Sequence, residues 1–534
     1  MDMNQWHKSF FEVCDACRNR GLVLYGAGIW GDIAFELFRK YGIVPLCYAD
    51  DDKQKHGHNK NGRIIVPLGE AAKRFPDAVY IPCIDDFLNA DKIESKNRDQ
   101  MIDNLRKLGL YSAESSMRIR FYVFLLDIDI NIEEKQREDA DFYWKDLQKV
   151  ILFNNMSNSG SFYVEQLLDN HSHMLFLPYS GSFKMAYDNR LVYLDGEELI
   201  VEIMAQLLGY FHSKYEDYDS VGQHRYQKFI LNHDGRFNKN ILVDPQKFMV
   251  CLLKQFEGMV KLQSYGQLIK VLFAAFANAT DRKKENHNYW IFYHMHLPNV
   301  KVEELLEEFQ ENEFERIENL IVIREPVQHL YSWIRRFVKK EKNYKAVYKC
   351  GFEKIIKSEL GIMLEKQIMD DRVRAVCFED LKQHTVSTMK NLCKWLDIPY
   401  ENCLLETTIM GQTIYFPANT PDGVKYITGN DLTAVKQQQF TEVLSLWDEV
   451  RLNIIYGKFK QKYGYTTSVP AFDKFNDLDW LLKERFQFCD IVEDLLRQES
   501  LEDLYDVDEF VKGIYKEYLH THSGQEQYYE KIHP

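Results

Sequence analysis

Residues 149–161 read Lys-Val-Ile-Leu-Phe-Asn-Asn-Met-Ser-Asn-Ser-Gly-Ser. The apolar stretch 149–153 predicts a buried strand and residues 162–169 predict a helix, so the small polar residues between them form a loop. Such a loop exposes backbone N–H groups at a helix N-terminus, where the helix dipole also favours an anion. It lacks the Gly-Lys-Ser/Thr core of a Walker A loop, which argues against an ordinary ATPase or GTPase. We predict a phosphate-binding loop in an α/β domain, with a plain Ser/Asn-rich turn as the alternative.

A second strand–helix junction carries an arginine. Residues 319–326 read Asn-Leu-Ile-Val-Ile-Arg-Glu-Pro, and apolar residues then repeat with helical spacing from Val327 to Ile334. Arg324 would stand at the carboxyl end of a parallel strand, the edge at which α/β proteins bind ligands. The following segment sets seven cations against Glu341, namely Arg335, Arg336, Lys339, Lys340, Lys342, Lys345 and Lys349. This local excess indicates an anionic ligand, and a solvated helix face is the alternative.

The N-terminal part of the chain alternates between strand and helix patterns. Strands are predicted at Gly21–Tyr25, Val44–Ala49 and Val79–Cys83, and a helix is predicted at Ile29–Lys40. Alternation of this kind predicts a parallel sheet with crossover helices.

The first turn of that region reads Gly26-Ala-Gly-Ile-Trp-Gly31. Gly26 permits a tight turn, Gly28 lets backbone amides approach a pyrophosphate, and Gly31 allows the helix to pack closely on the strand. Asp50 ends the next strand, at the position where an acid that binds ribose is expected. These four residues predict a nucleotide or nucleotide-sugar site, although any Rossmann-like unit needs small residues at this turn.

The same region resembles a known kind of domain. With the glycine turn, the segments Asp50–Gly57 and Asn61–Pro67 are similar to the small Rossmann domains of bacterial surface-polysaccharide enzymes, such as nucleotide-sugar epimerases and dehydratases. The resemblance implies a nucleotide or nucleotide-sugar ligand. No Tyr-x-x-x-Lys pair accompanies it in this stretch, which argues against redox chemistry there.

Residues 149–467 resemble the sulfotransferases that use 3′-phosphoadenosine 5′-phosphosulfate (PAPS). The loop Ser157–Ser161 looks like the family's 5′-phosphosulfate loop, and the span Arg324 to Ser332 matches its 3′-phosphate motif. Three later stretches are similar to the family's C-terminal half: Cys377–Leu381, the run that ends at Trp395–Pro399, and Tyr463–Tyr465.

This resemblance implies a role for each matching residue. The 5′-phosphosulfate would be held by Ser157, Asn158, Ser159, Gly160 and Ser161, and the 3′-phosphate by Arg324 and Ser332. The family normally has Lys or Arg where this chain has Asn158. A cation there would neutralise charge on the bridging oxygen as the sulfuryl group leaves. Lys149 and Lys184 lie nearby in the sequence.

In-line transfer needs a base that accepts the proton of the acceptor hydroxyl. Residues 293–296 read Tyr-His-Met-His and resemble the segment that supplies the base in uronyl 2-O-type glycan sulfotransferases. Two histidines at i and i+2 of a strand share one face, so His294 or His296 is the predicted base. Ordinary structural histidines are the alternative, and a zinc site lacks a third ligand at suitable spacing.

Composition excludes several classes of protein. The 534 residues include 67 Lys and Arg against 81 Asp and Glu, a net charge of −14 that argues against a nucleic-acid partner. No apolar run approaches the roughly 18–20 residues that span a bilayer. Residues 1–20 lack the apolar core of a signal peptide, so we predict a cytoplasmic protein. The ten cysteines fit no disulfide framework, and Cys14 and Cys17 form a lone CxxC with no second pair.

We predict an α/β protein of four parts. They are a Rossmann-like parallel-sheet domain at 1–117, a connecting region at 118–148, a P-loop-like α/β sulfotransferase domain at 149–467, and a helical C-terminal extension at 468–534.

The leading interpretation is a sulfotransferase that moves a sulfuryl group from PAPS to a glycan hydroxyl, as on a bacterial surface-polysaccharide precursor, without a metal. One alternative is a catalytically inactive nucleotide-binding or scaffold protein, which Asn158 leaves open. Another is an NAD(P)-dependent oxidoreductase centred on Gly26–Gly31, which the missing redox residues disfavour. The predicted partner is a glycan acceptor, and the formation of a homo-oligomer is left open.

Overall fold

The computed structural model divides the chain into two compact units. The first comprises Met1–Asp146, Phe183–Ile230 and Phe237–Lys284, and the second comprises Leu147–Ser182, Leu231–Arg236 and Glu285–Pro534. The residues that the structure describes are 3–84, 96–117, 119, 122, 142–155, 159–177, 194, 199–200, 203–204, 207, 231, 233–236, 243–256, 262–280, 288–294, 313–340, 342, 356, 371–420, 423–429, 442–466, 479–498, 506–521 and 530–534. The predicted boundaries at 117, 148 and 467 stay predictions.

The α-helices in the described residues are α1 Met3–Arg20, α2 Ile29–Lys40, α3 Leu68–Arg74, α4 Lys96–Lys107, α5 Ser161–Leu168, α6 Pro245–Gln255, α7 Tyr265–Ala279, α8 Pro326–Ile334, α9 Phe378–Gln383, α10 Thr385–Leu396, α11 Leu446–Ile455, α12 Gly457–Tyr463, α13 Gln487–Gln498 and α14 Val507–Thr521.

The strands are β1 Leu22–Tyr25, β2 Cys47–Ala49, β3 Asn59–Lys60, β4 Arg63–Val66, β5 Val79–Pro82, β6 Lys149–Asn155, β7 Met174–Phe176, β8 Trp290–His294, β9 Arg316–Ile323, β10 Val373–Cys377, β11 Thr408–Ile409, β12 Gln412–Thr413, β13 Tyr415–Thr420, β14 Gly423–Thr428 and β15 Glu530–Lys531.

The first unit contains a five-stranded sheet in the order β3-β4-β2-β1-β5. All its pairs are parallel except β3 with β4, which confirms the predicted parallel sheet. Its core includes Val23, Tyr25 and Tyr80 from the sheet, with Leu105 from α4. The helix predicted at Ile29–Lys40 has those bounds in the structure.

One predicted strand of this sheet is shorter than the sequence indicates. The prediction ran from Val44 to Ala49, whereas β2 begins at Cys47. Pro45 has no N–H group to donate to a neighbouring strand, so the ladder cannot extend through it. Val44 and Leu46 are accordingly exposed, at 46% and 37%.

The first unit also includes a helical pair from much later in the sequence. Helices α6 and α7 pack together, with the rings of Phe248 and Phe276 in an edge-to-face contact. Asn278 of α7 and Gln255 of α6 both donate side-chain hydrogen bonds to the carbonyl of Phe142. The unit is therefore assembled from segments that are distant in the chain.

The second unit contains a six-stranded sheet in the order β15-β10-β9-β6-β8-β7, with all pairs parallel. Strand β6 is central, and its Lys149 is in register with both Trp290 and Arg316. The core around it contains Ile151, Phe153, Val164 of α5 and Phe292. A second α/β layout is thereby confirmed.

The C-terminal part contributes more than the predicted helices. Helices α13 and α14 confirm a helical extension, but β15 also pairs with β10 and forms one edge of the sheet. Lys531 of β15 donates to the carbonyl of Tyr463 at 2.8 Å and forms an ion pair with Asp380 at 2.7 Å. Within the described ranges, no helix has the length and apolar character needed to cross a membrane.

Candidate functional site

The second sheet gathers four strand ends at one edge. Strands β8, β6, β9 and β10 are neighbours and run parallel, so their carboxyl ends lie side by side. The residues at or just after those ends are His294, the loop before Ser161, Arg324 and Phe378. Ligands of parallel α/β sheets bind at this edge. The structure therefore brings three sequence-predicted segments to one place.

The loop after β6 requires glycine at residue 160. Gly160 has φ 95°, a left-handed conformation, and a Cβ there would overlap the ring of Phe378. It precedes α5, and Tyr163 and Val164 donate their N–H groups to its carbonyl. Ser159 beside it is fully buried, and its hydroxyl makes no hydrogen bond within the part of the chain that the structure describes. A buried hydroxyl in that condition is expected to meet a ligand or a water molecule.

Arg324 reaches the same aromatic ring from the next strand. Its Cζ lies 5.4 Å from the centroid of the Phe378 ring, a cation–π contact. Phe378 thus contacts both the Gly160 loop and the arginine of the second predicted motif. Burial lowers the pKa of Arg324 from its ordinary value, while Glu379 and Glu325 oppose that effect.

Two carboxylates flank Arg324. Glu379 accepts hydrogen bonds from the N–H of Glu325 at 3.2 Å and from the hydroxyl of Tyr465 at 2.9 Å. Glu325 caps α8 by accepting from the N–H of Gln328 at 2.6 Å, and it forms an ion pair with Lys460 at 2.8 Å. Burial raises the pKa of Glu379, and these hydrogen bonds and Arg324 oppose the rise.

His294 forms a buried pair with a carboxylate. Its Nδ1 lies 2.8 Å from Oε2 of Glu165 on α5, and both side chains are about 5% exposed. The ring of Phe153 packs edge-to-face against the imidazole at 4.9 Å. The sequence analysis missed Glu165, and the available signal was a carboxylate within the apolar run 162–168.

The remaining predicted residues are placed as follows. Ser161 begins α5, and Ser332 is half-buried on α8, the helix that directly follows Arg324 and Glu325. Ser157, Asn158 and His296 lie outside the described residues, as does Lys184.

Lys149 does not reach the loop. It begins β6, whose seven residues separate it from the strand's carboxyl end by about 20 Å. Its ammonium group bonds to Asn288 and lies 5.6 Å from the centroid of the Trp290 ring. The cation that the resemblance expects at Asn158 is therefore not supplied by Lys149.

The basic segment after α8 is partly described. Residues 335–340 form a π-helical turn, in which Arg335 pairs with Glu442 at 3.2 Å while Lys339 and Lys340 are exposed. Lys345 and Lys349 lie outside the described residues.

The glycine turn of the first unit has a different set of contacts. Gly26 has φ 116° and a Cβ there would lie 2.7 Å from the carbonyl oxygen of Cys83, while a Cβ on Gly31 would overlap the carbonyl of Gly26. These two glycines are explained by packing. A Cβ on Gly28 would meet no atom within 4 Å, so packing does not explain the third glycine.

Asp50 binds this turn directly. Its carboxylate accepts from the N–H of Ala27 at 2.7 Å, the N–H of Asp52 at 2.9 Å and the ammonium of Lys55 at 3.1 Å. Burial opposes ionisation, but these hydrogen bonds lower the pKa of Asp50 below its ordinary value. A ribose hydroxyl at this carboxylate would have to share it with three protein donors.

Two other sequence features can be located. Cys14 and Cys17 are buried, and burial raises the pKa of their thiols to about 11 and about 12, which disfavours the reactive thiolate. Over the described ranges, no group of three or more His, Cys, Asp or Glu side chains is placed to hold a metal ion.

Comparison with known proteins gives structural matches only. No family model matches the sequence, and no curated protein matches it. One solved structure that matches is a sulfotransferase domain from the curacin biosynthetic pathway, with 15% identity, a TM-score of 0.28, and coverage of 67% of this chain and 99% of that domain. Another is a sulfotransferase domain from the Synechococcus PCC 7002 olefin synthase, with 13% identity, a TM-score of 0.28, and coverage of 69% and 99%. At these values the likeness defines neither a residue correspondence nor an activity.

Proposed function

We propose that the second unit transfers a sulfuryl group from PAPS to a hydroxyl group of a glycan. The observation that carries the proposal is the Phe378 ring, which contacts the Gly160 loop and the Arg324 guanidinium together. An anion-binding loop and an arginine at one sheet edge suit a ligand with two separated phosphate groups.

The site residues fit the two ends of this donor. The 5′-phosphosulfate would lie on the loop 157–161, where the start of α5 offers backbone N–H groups and Ser159 offers its buried hydroxyl. The 3′-phosphate would bind Arg324, whose planar guanidinium suits a bidentate contact, with Ser332 as a further donor.

The proposed transfer step needs one base, which accepts the proton of the acceptor hydroxyl. The acceptor oxygen attacks sulfur, and the bond between sulfur and the bridging oxygen breaks. The bonding electrons leave with the 5′-phosphate oxygen, and the hydroxyl proton passes to His294, which supplies general-base catalysis. Backbone N–H groups of the loop would stabilise the charge that develops on the leaving oxygen. Asn158 would add an amide there in place of a cation, so we expect slower turnover than a lysine would give.

The proposal that the acceptor is a glycan is supported by the resemblance of the first unit. That unit resembles domains of surface-polysaccharide enzymes, and we propose that it binds a nucleotide or nucleotide-sugar or takes part in assembly. The open space beside Gly28 supports a ligand there, while the engagement of Asp50 by Ala27 opposes a dinucleotide mode that needs this carboxylate for ribose.

A second candidate function is donor binding without transfer. It is favoured by Asn158, which replaces the cation that the resemblance expects. The two functions differ in whether the labelled sulfuryl group moves.

The deciding experiment incubates the full chain with ³⁵S-labelled PAPS and a panel of glycans, with Arg324→Ala as the matched control. We expect label on a glycan with the wild-type chain and none above background with the variant. Calorimetry with the bisphosphate product runs in parallel. Binding without transfer to any glycan would favour the second candidate, and absence of binding would contradict both.

A further inference from the structure

We propose that Glu165 is the positioning residue for His294, holding the imidazole as the Nδ1–H tautomer so that Nε2 receives the acceptor's proton. This inference rests on the proposed function, because it assigns the atom that accepts the proton in that reaction.

The geometry of the pair fixes the tautomer. An ionised carboxylate can only accept, so at 2.8 Å from Oε2 of Glu165 the Nδ1 of His294 carries the proton. That leaves the lone pair of Nε2 to act as base. The Phe153 ring, in edge-to-face contact at 4.9 Å, restricts rotation of the imidazole.

The charge of Glu165 becomes useful during the reaction. When the acceptor O–H bond breaks and the O–S bond forms, the proton goes to Nε2 and His294 becomes an imidazolium. A carboxylate on the opposite ring nitrogen stabilises that cation more than it stabilises neutral imidazole, which lowers the barrier. Both side chains are buried, so water screens the interaction little.

The pair also links the base to the donor loop. Glu165 lies four residues after Ser161 on α5, a rise of about 6 Å along the helix that begins at the phosphosulfate loop. One rigid helix thus carries both the donor's N–H groups and the carboxylate that orients the base. The base and the loop are therefore positioned by the same helix.

The kinetic test uses Glu165→Gln, which keeps the shape of the side chain and removes its charge. We expect kcat to fall at least about 10²-fold, with the KM for PAPS unchanged within about twofold. In a His294→Ala background the same substitution should have no further effect on kcat, since the proposed role of Glu165 is exerted through His294. Full kcat in Glu165→Gln, or additive losses in the double variant, would overturn the proposal.

A second measurement does not depend on activity. In ¹⁵N-histidine-labelled full chain, the resonances missing in His294→Asn identify His294, and we expect an Nδ1-bound proton that Glu165→Gln shifts towards Nε2. Calorimetry with the bisphosphate product checks that the donor site of each variant is intact. An unchanged tautomer in Glu165→Gln refutes the role of Glu165. If the wild-type chain binds the product but transfers to no glycan, the proposed function fails, and the spectrum alone then decides what Glu165 does.

Discussion

The two units each contain a strand, a glycine-containing loop and a helix in succession, yet the polar groups of the two loops differ in their hydrogen-bond partners. In the first unit a residue of the same unit accepts a hydrogen bond from the turn, because the Ala27 N–H donates to the Asp50 carboxylate. In the second unit the hydroxyl of Ser159 is buried with no hydrogen bond to a described group, and an arginine stands beside the loop. Two loops of this kind can therefore differ in whether a carboxylate of the same unit accepts a hydrogen bond from the loop.

The largest expected effect is the difference between substituting Gly160 in the second unit and Gly28 in the first. Gly160→Ala would strain a positive φ and overlap Phe378, so we expect a loss of about 2–4 kcal/mol in unfolding free energy and no measurable binding of the bisphosphate product. Gly28→Ala is the matched control, since its Cβ would meet open space, and it should leave stability within about 1 kcal/mol. Urea unfolding and calorimetry measure both. Equal losses in the two variants would show that the loops do not differ in this way.

The next effect tests Arg324, the arginine near the loop of the second unit. Under the proposed function Arg324→Ala removes a charged hydrogen-bond partner of the 3′-phosphate, and we expect the bisphosphate product to bind about 2–4 kcal/mol more weakly. Arg324→Lys should recover part of the loss, because it restores charge without the planar fork. Ser332→Ala should cost less than Arg324→Ala. If calorimetry finds unchanged affinity in Arg324→Ala, the assignment of the 3′-phosphate to Arg324 is wrong.

A smaller effect concerns the acid that closes the first loop. The folded-state pKa of Asp50 is lowered, so its contribution is present above the unfolded value near 3.9 and is lost as pH falls through the folded value. Asp50→Ala should lower the free energy of unfolding by about 1–3 kcal/mol at pH 7. Below about pH 4 the free energy of unfolding of the variant should depend less on pH than that of the wild type. Amide exchange at Ala27 should quicken in the variant. Asp52→Ala is the control with a more exposed carboxylate, and an effect as large there would mean that capping of the Ala27 amide is unimportant.

The smallest effect concerns the buried hydroxyl. Ser159→Ala removes a polar group that has no partner among the described residues, so we expect the unliganded protein to be unchanged or up to about 1 kcal/mol more stable. The same change should weaken binding of the bisphosphate product by roughly 1 kcal/mol. Thermal unfolding with and without the product measures both. Destabilisation of the unliganded protein would indicate that Ser159 is structural.

Local patterns predicted much of the fold. The helix at Ile29–Lys40 follows from a glycine turn and an amphipathic run, and the parallel sheets follow from the alternation of strand and helix patterns. The pairing of β15 with β10 could not be predicted, because a two-residue strand carries no periodicity and is defined only by its partner. The start of β2 was misplaced because the apolar pattern continues through Pro45 while the hydrogen-bond ladder does not.

The placement of the candidate residues was predictable where it depends on local sequence and not where it depends on tertiary contact. Arg324 and the Gly160 loop each follow a recognisable strand, so their motifs indicated an anion site. Glu165 meets His294 across 129 residues, and no spacing rule connects them. Phe378 was indicated only as part of the family-like stretch Cys377–Leu381, and its contact with both motifs depends on the tertiary fold.

The central place of β6 has a consequence for how the protein is made. Both of its neighbours, β8 and β9, are encoded downstream, and about 134 residues separate the end of β6 from the start of β8, the nearer of the two in the sequence, which at roughly 5–20 residues per second is about 7–27 s of synthesis. During that interval an apolar strand leaves the ribosome with neither partner yet available to it. We expect expression to depend on chaperone supply, because an unpaired strand of this kind favours aggregation.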